Sequence, residues 1–549
     1  MEFTLNYNGK AETFKKKVML QDLIANENQD KHFICAKVNN RVRELTYEVF
    51  YDANIQFLTL ADPDAKSAYE PSLRYIVAMA FARCYPGLEI KFTFNVSRTI
   101  GIFLKNTNYQ ANTAMLIKVK HEIDRIIEAD LPLKRVIVSN EEAAKIYKEK
   151  GFEDKLEILQ YRPEKTVHFY ECDGYMDYMY ARMVPSTGYI KAYKMRLYSP
   201  GFLLQYPRPE CGGKIPEFND APTYGRTLKE SHDWAKIVGV NTVARINKEI
   251  DKAGSSEFIN ICEARHNRML AELGQLIEDD ISNIRLICIA GPSSSGKTTF
   301  ANRLRVELLC RGIKPIRISL DDYYLQSSEC PKNEDGTPDL ESIEALDIEL
   351  FNQNMIDLIN GEEVTLPKFD FKVGHRVPGR TLKVGKDEPI VIEGIHALNE
   401  RMTRDIPKNN KFKIFISPQA QVNLDDHNPV SITDLRLIRR MVRDFQFRNS
   451  PAEETFSMWA NVRAGEFKWI YPTQEGCDYV YNSYLAYELP VLKKFAVPLL
   501  QKIDKESPYF LIAERLLHML KFFNDMDDSW VPSNSLMREF IGGSCYADV

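Results

Sequence analysis

The sequence predicts an α/β protein whose centre is a doubly wound parallel sheet around a phosphate-binding loop, with smaller α/β modules in front. Three observations carry that prediction. Residues 291–298 read GPSSSGKT, two glycines separated by four residues and followed by Lys and Thr. An apolar run at 284–290 precedes them as a fully buried strand would, and Phe300, Leu304 and Leu308 recur after them at helical spacing up to Arg311-Gly312. Beyond that point strand-like and helical stretches alternate to about residue 505, the order from which a parallel sheet is built.

The loop comes first because its chemistry is the most specific. Gly291 and Gly296 allow the backbone to turn and to approach phosphate oxygens where a Cβ would obstruct. Successive N–H groups, among them those of Ser293, Ser294, Ser295 and Thr299, then face the anion at a helix N-terminus, where aligned peptide dipoles favour negative charge. Lys297 is placed to reach the β- and γ-phosphates, and the Thr298 hydroxyl to ligate Mg²⁺. A Ser/Gly turn that only starts a helix is the alternative, and the two correct flanks weigh against it. The expectation is a nucleoside triphosphate, ATP or GTP, with magnesium.

Composition sets the bounds. At 549 residues the chain exceeds a single core, and three or four domains are expected. A hydrophobic fraction of 44% and a net charge of −5 describe an ordinary globular protein without a global basic footprint for nucleic acid. The first residues, MEFTLNYNGK, carry no apolar signal, and no apolar run approaches the ~18 residues of a membrane span. Ten scattered cysteines without a C-x-x-C pair suggest free thiols in a reducing cytoplasm.

In chain order, residues 1–62 read as a small α/β unit. A strand at 1–7 is followed by an Asn8-Gly9 turn, a short helix at 18–24 and a hairpin at 33–45 turning on Asn39-Asn40. Residues 63–225 form a second module, with an amphipathic helix from 73 to 85, a strand at 89–94, and the blocks DGYMD (173–177) and VPSTGYI (184–190). The Pro/Gly-rich stretch 207–227 reads as a linker, and helices at 241–253 and 256–279 make 226–280 a bridge. The core spans 281–505, and 506–549 is expected as a helical tail. The first two modules resemble the β-grasp TGS domain and the second additional, editing domain of threonyl-tRNA synthetases. That family carries H-x-x-x-H and C-x-x-x-H in the latter. Pro71, Tyr75, Met179 and Met183 stand at the matching positions, so the resemblance implies that editing chemistry is absent.

Within the core, a strand at 313–320 ends at Asp321-Asp322, a helix at 347–360 closes at Gly361, and 364–371 leads into a hairpin around Gly379. A strand at 389–392 ends at Glu393, and another lies at 412–417. Ligands of open α/β sheets sit at the carboxyl ends of strands, which places Asp321 and Glu393 beside the loop. Asp321 suits the general base for an acceptor hydroxyl, with a turn cap as the alternative. Glu393 suits a magnesium-holding acid. The stretch 434–448 is a two-faced helix, with Leu435, Ile438, Val442 and Phe445 on an apolar stripe and Arg436, Arg440 and Arg443 on another face. The arginines read as a phosphate-clamping lid or as a solvated basic face.

Residues 284–505 resemble the uridine kinase and phosphoribulokinase family. They carry GPSSSGKTT, ISLDDYY, PDLESIEALD, LPKFDF with a trailing GHR, IVIEGIHAL and RRMVRD in order. The resemblance implies ATP- or GTP-dependent phosphorylation of a nucleoside 5′-hydroxyl, uridine or cytidine first. It puts Asp321 on the catalytic Asp, Tyr324 near the nucleoside, and Arg440 and Arg443 on lid arginines that touch phosphates. In the acceptor pocket it aligns Glu341 with an Asp that grips ribose, Phe369 with a Tyr, and His375 one position away from a base-contacting His, with Arg376 beside it. Another nucleoside or a pentose phosphate is the alternative acceptor. A different class, a nucleotide-switched RNA-binding protein, requires a basic front surface, and only Lys15-Lys16-Lys17 offers one. Self-association into a homo-oligomer and absence from membranes complete the expectations.

Overall fold

The protein is described from a computed structural model covering residues 2–24, 32–253, 255–333, 336–370 and 374–547. Met1 and Phe371, the outer ends of two expected strands, lie outside the described residues.

Alternating burial builds the first sheet from β1 (Phe3–Tyr7), β2 (Lys10–Phe14), β3 (Cys35–Val38), β4 (Arg41–Arg43) and β5 (Ala53–Leu58). Their order is β2-β1-β5-β3-β4, with β1 and β5 parallel. Asn8 and Gly9 both take positive φ, as a tight hairpin turn requires. The helix expected at 18–24 begins only at Leu20 (α1, Leu20–Ile24), because Val18–Met19 pairs with Glu48–Val49 as a short strand.

In the second module the helix expected from residue 73 starts at Lys66 (α2, Lys66–Cys84) and is not amphipathic. It is buried from Ala68 to Phe81, on every face. Around it lie β6 (Glu89–Phe94), β7 (Ile100–Lys105) and α3 (Thr113–Glu128). Next come β8 (Lys134–Ser139), α4 (Asn140–Lys150), α5 (Glu153–Leu159), β9 (Thr166–Cys172) and β10 (Tyr175–Tyr178). With β11 (Lys194–Tyr198) and β12 (Gly201–Gln205) they make two antiparallel sheets, β8-β9-β10 and β11-β12-β7-β6.

The expected linker gives way to a helix, α6 (Pro222–Val238), which opens on Pro222 at its first turn and ends at Gly239 with φ of 77°. Its apolar signal is thin because Thr227 and Ser231 occupy buried positions beside Leu228 and Ala235. The helices α7 (Val243–Ala253) and α8 (Ser255–Asp279) are not a free bridge either. Phe258, Ile259, Leu273 and Ile277 share one apolar core with Ile287, Ile289 and Leu304.

That core covers one face of a fully parallel sheet: β13 (Leu286–Ala290), β14 (Ile316–Ser319), β17 (Ile390–Glu393), β18 (Lys411–Ser417) and β21 (Tyr479–Asn482). Their order is β14-β17-β13-β18-β21. The other face carries α10 (Ile348–Ile359) and the hairpin β15 (Glu363–Asp370) with β16 (His375–Lys383). Strand order reverses beside β13, so the crevice for ligands opens between β13 and its neighbours, directly above residues 291–299.

After β18 a small hairpin, β19 (Asn423–Asp425) and β20 (Asn428–Pro429), leaves the sheet and enters the front module before α11 (Ile432–Arg448) begins. There Lys155 forms buried ion pairs with Asp177 and Asp425 at 3.1 and 3.0 Å. His427 pairs with Asp177, and Asp425 accepts from the His427 amide and the Asn428 side chain. Arg74 donates to the His427 carbonyl, and the Phe92 amide to the Asp426 carbonyl at 2.8 Å. The chain then forms α12 (Ala452–Gly465), α13 (Glu488–Gln501) and α14 (Phe510–Leu520). The expected tail is no appendage. Its last turn, α15 (Arg538–Ile541), returns to the phosphate loop, with Leu536, Met537 and Phe540 in the main core. Among the described residues no helix is long and apolar enough to cross a membrane.

Candidate active site

The loop must pass beneath β18, and glycine permits it. A Cβ on Gly291 would stand 2.0 Å from the Ile416 carbonyl oxygen. Gly296 has φ of +89°, and a Cβ there would meet Leu536 at 2.5 Å. Between them Ser294 holds φ of 59°, turning its amide with its neighbours toward one concavity. The hydroxyls of Ser294, Ser295 and Thr299 are buried there without a hydrogen-bond partner. Buried donors are left unmade only at a cost, so the cradle fits a ligand rich in acceptors, as a polyphosphate is. Lys297 donates meanwhile to the carbonyls of Gly291 and Pro292 at 3.0 and 3.3 Å.

The arginine helix sits on this loop. Ser431 caps α11 by accepting from the Asp434 amide. Arg436 donates to the Ser293 carbonyl at 2.9 Å, Arg439 to the Ser294 carbonyl at 3.3 Å, and Arg440 to the Ser293 hydroxyl at 2.8 Å. Arg436 is therefore neither a free lid group nor part of a solvated face: it is 2% exposed and paired with buried Glu466. Arg439 is paired in the same way with Glu488, whose carboxyl burial pushes up to about 7 against the pull of the guanidinium. The helix's apolar stripe also ends early, since Leu435, Ile438 and Val442 are buried but Phe445 is exposed. Arg443 bonds Asp444 at 2.8 Å and keeps a half-buried side chain toward the cleft.

Two strands deliver the acids. Asp321 follows β14 in a turn stabilised by the Ser319 hydroxyl, which accepts from its amide at 3.3 Å and also donates to Glu393 at 3.4 Å. Asp321 presents an exposed surface, yet the enclosing cleft still raises its carboxyl above the usual range, opposed by Lys297, Arg448 and Arg443. Glu393 is 6% exposed, and burial followed by the nearby Asp321 raises it to about 7. The same surroundings lower Lys297 by burial, while Glu393, Asp321 and Glu539 pull it back up.

On the acceptor side Tyr324 donates to the Leu340 carbonyl at 3.0 Å and meets Phe369 edge-on, ring centres 5.8 Å apart. Asp322 accepts from the Phe369 amide at 3.4 Å, the role of a turn brace. Glu341 lies against Gly465, where a Cβ would come within 2.5 Å of its own. Burial and the neighbouring Glu466 raise Glu341 to about 7, with Arg440 and Lys297 opposing. Glu341 is thus brought within the field of the loop. His375 is not: it stands exposed at the start of β16, opposite Asp370. Arg376 is tied to Asp347, the N-cap of α10, at 2.8 Å. His375 thus stands off the cleft, and the pairing with Asp347 occupies Arg376, which lies across the hairpin from Phe369.

A residue that sequence reasoning missed completes the site. The carboxylate of Glu539 accepts from the Thr299 amide at 3.1 Å, occupying a donor at the N-terminus of α9 (Lys297–Cys310). The only hint was an acid inside the apolar run LMREFI.

Magnesium needs few protein ligands when phosphates supply the rest. The described residues hold no cluster of three or more His, Cys, Asp or Glu suited to a metal. Thr298 and the buried, unneutralised Glu393 fit the sparser arrangement.

The front cleft contrasts with this. Tyr75 is 0% exposed and donates to the carbonyls of Tyr170 and Tyr175 at 3.1 and 2.8 Å. Met179 and Met183 pack in the same core, and Ser72 bonds the Met183 sulfur.

A parallel sheet in this order, with a glycine-rich phosphate cradle at its switch point and acids at the adjoining strand ends, defines a P-loop phosphotransferase core. The model of the "Phosphoribulokinase / Uridine kinase family" matches residues 286–486. The uridine kinase of Staphylococcus carnosus is 31% identical over 196 residues, covering 36% of this chain and 85% of that enzyme. The chain belongs to the phosphoribulokinase/uridine kinase family through this region. Its N-terminal region is similar to threonine–tRNA ligases. That of Carboxydothermus hydrogenoformans is 28% identical over 173 residues, covering 30% of this chain. The chain spans about a quarter of that ligase, 26% of its length. Among solved structures, D-glycerate 3-kinase from Cryptococcus neoformans is 13% identical with a TM-score of 0.20, covering 46% of this chain and 87% of that one.

Proposed function

We propose that the protein is an ATP-dependent nucleoside kinase that phosphorylates a 5′-hydroxyl, with uridine or cytidine as the foremost acceptor. One observation carries this reading: the ammonium of Lys297 in the cradle lowers the proton affinity of both Asp321 and Glu341, so the two acids stand on either side of one cation. A donor's terminal phosphate and a sugar alcohol can therefore meet there.

In this reading the amides and hydroxyls of residues 291–299 hold the donor's phosphates, and Lys297 leaves the loop carbonyls to neutralise the transferred group. Asp321 accepts the proton of the acceptor hydroxyl, and its raised affinity for protons suits that task. Glu341 accepts from ribose hydroxyls, while Tyr324 and Phe369 wall the base. Arg440 and Arg443 stabilise charge as it moves from donor to acceptor. Thr298 and Glu393 would hold magnesium, which would supply charge neutralisation for the donor's phosphates. A phosphate oxygen that takes the Thr299 amide displaces Glu539 from it. The same proposal divides the chain into a β-grasp unit, an inert synthetase-like module and the kinase, with α6–α8 belonging to the last. Ten free cysteines accord with a reducing cytoplasm.

A different nucleoside or a pentose phosphate is the second reading, favoured by the exposed position of His375 and by the Asp347 carboxylate that occupies Arg376. ADP release measured over a panel of nucleosides and pentose phosphates separates the two. Turnover of pentose phosphates alone would sink the nucleoside reading.

A further inference from the structure

Away from the kinase cleft, a cavity of about 1150 Å³ opens between the front module, α6, α7 and the β19–β20 hairpin. That is room enough for a nucleotide-sized molecule. Lys91 of β6 lines it and is 2% exposed, yet its ammonium has no hydrogen-bond partner. A buried amine without a partner is costly, and a bound anion removes the cost. On the facing wall Arg226, Lys229 and Lys236 project from α6 at helical spacing, exposed, and form no ion pair among the described residues. The acids that act on Lys91 are already engaged, while Glu153 and Asp233 of the lining are exposed. Asp426 is paired with Lys105, and Asp154 accepts from the Asp426 amide at 2.7 Å. An aromatic pair, Phe103 stacked on His232 with centres 5.8 Å apart, forms part of the lining.

We propose that this cavity is a second ligand site, for a phosphate-bearing small molecule held by Lys91 and the basic face of α6. The volume and the aromatic pair favour a nucleotide over free phosphate. Occupancy has a direct route to catalysis. Asp426 sits in the hairpin that runs straight into the cap of α11, and α11 grips Ser293 and Ser294 of the phosphate loop. The site does not depend on which acceptor the kinase uses.

The test is photolabelling of the full-length protein with an azido-nucleotide, followed by peptide mapping, with inorganic phosphate and tRNA as competitors. Labelling is expected at two places, the phosphate loop and residues 89–107 or 222–245. Lys91→Met should abolish only the second. This variant removes an unpaired buried charge, so its urea midpoint should not fall; if it does, the exposed pair Lys229→Ala/Lys236→Ala decides, because those side chains carry no packing. Protection by excess phosphate supports a phosphate subsite, and weaker protection than by nucleotide supports the organic ligand. Label confined to the phosphate loop, or second-site label indifferent to all three substitutions, overturns the proposal. So does protection by tRNA alone, which would point to an RNA end instead. Saturating the second site should also change the donor KM at least fivefold in the wild type and not in Lys91→Met; no change removes the coupling.

Discussion

In the front module the four positions aligned with the synthetase editing residues are Pro71, Tyr75, Met179 and Met183, and the space among them is filled by side chains and bonded hydroxyls. In the kinase core the corresponding polar groups, Ser294, Ser295 and Thr299, are buried but unmatched, and acids with perturbed proton affinity stand around them. If the front module descends from an editing domain as proposed, the two regions differ as a closed site and an open one do. In the front module the polar groups satisfy their own hydrogen bonds and the core closes over them. A working site leaves donors unpaired and keeps its charges at odds with their surroundings, because the ligand is the missing partner.

That contrast can be broken by substitution. The largest effect belongs to the kinase cleft: Lys297→Ala or Asp321→Asn should lower kcat by roughly 1000-fold or more with folding intact. Steady-state rates and a circular dichroism spectrum check both halves. Next comes the interface between the two regions, where Lys155→Met strands two buried carboxylates and should cost about 3–5 kcal/mol in urea unfolding. Glu341→Ala should raise the acceptor KM by about 10- to 100-fold and leave the donor KM unchanged, since a charged acceptor of ribose hydrogen bonds is lost. Equal changes in both constants would mean a fold defect. A pH series sharpens the picture further. Burial and Asp321 push Glu393 up to about 7, so a cation held there as proposed competes with a proton, and donor affinity should rise by up to about tenfold as pH goes from about 6 to about 8. In Glu393→Gln that rise should vanish. Glu539→Gln, which removes the charge competing for the Thr299 amide, should tighten donor binding several-fold by calorimetry. The smallest effect is Tyr75→Phe: about 1 kcal/mol of stability and unchanged kinase rates.

Much of the kinase was legible because its signals are local. The glycines of the loop, the strand before it and the helical spacing after it lie within thirty residues, and the acids end apolar runs. The misreadings share a cause as well. Residues 66–72 of α2 and the whole of α6 escaped because tertiary packing buries polar side chains such as Ser72 and Thr227, which erases the periodicity a surface helix would show. Arg436 reads as a basic-face residue because its partner, Glu466, is thirty residues away. Glu539 lies 240 residues from Thr299, and no spacing rule reaches that far.

That last separation has a bearing on how the molecule comes into being. A ribosome releases the loop, its helix and the sheet long before residues 536–540 emerge, and until then Gly296 and the Thr299 amide lack the wall that Leu536 and Glu539 supply. Contacts so distant along the chain form late. A nascent chain therefore passes through a stage in which the cradle stands open on one side, and its nucleotide affinity at that stage differs from that of the finished fold.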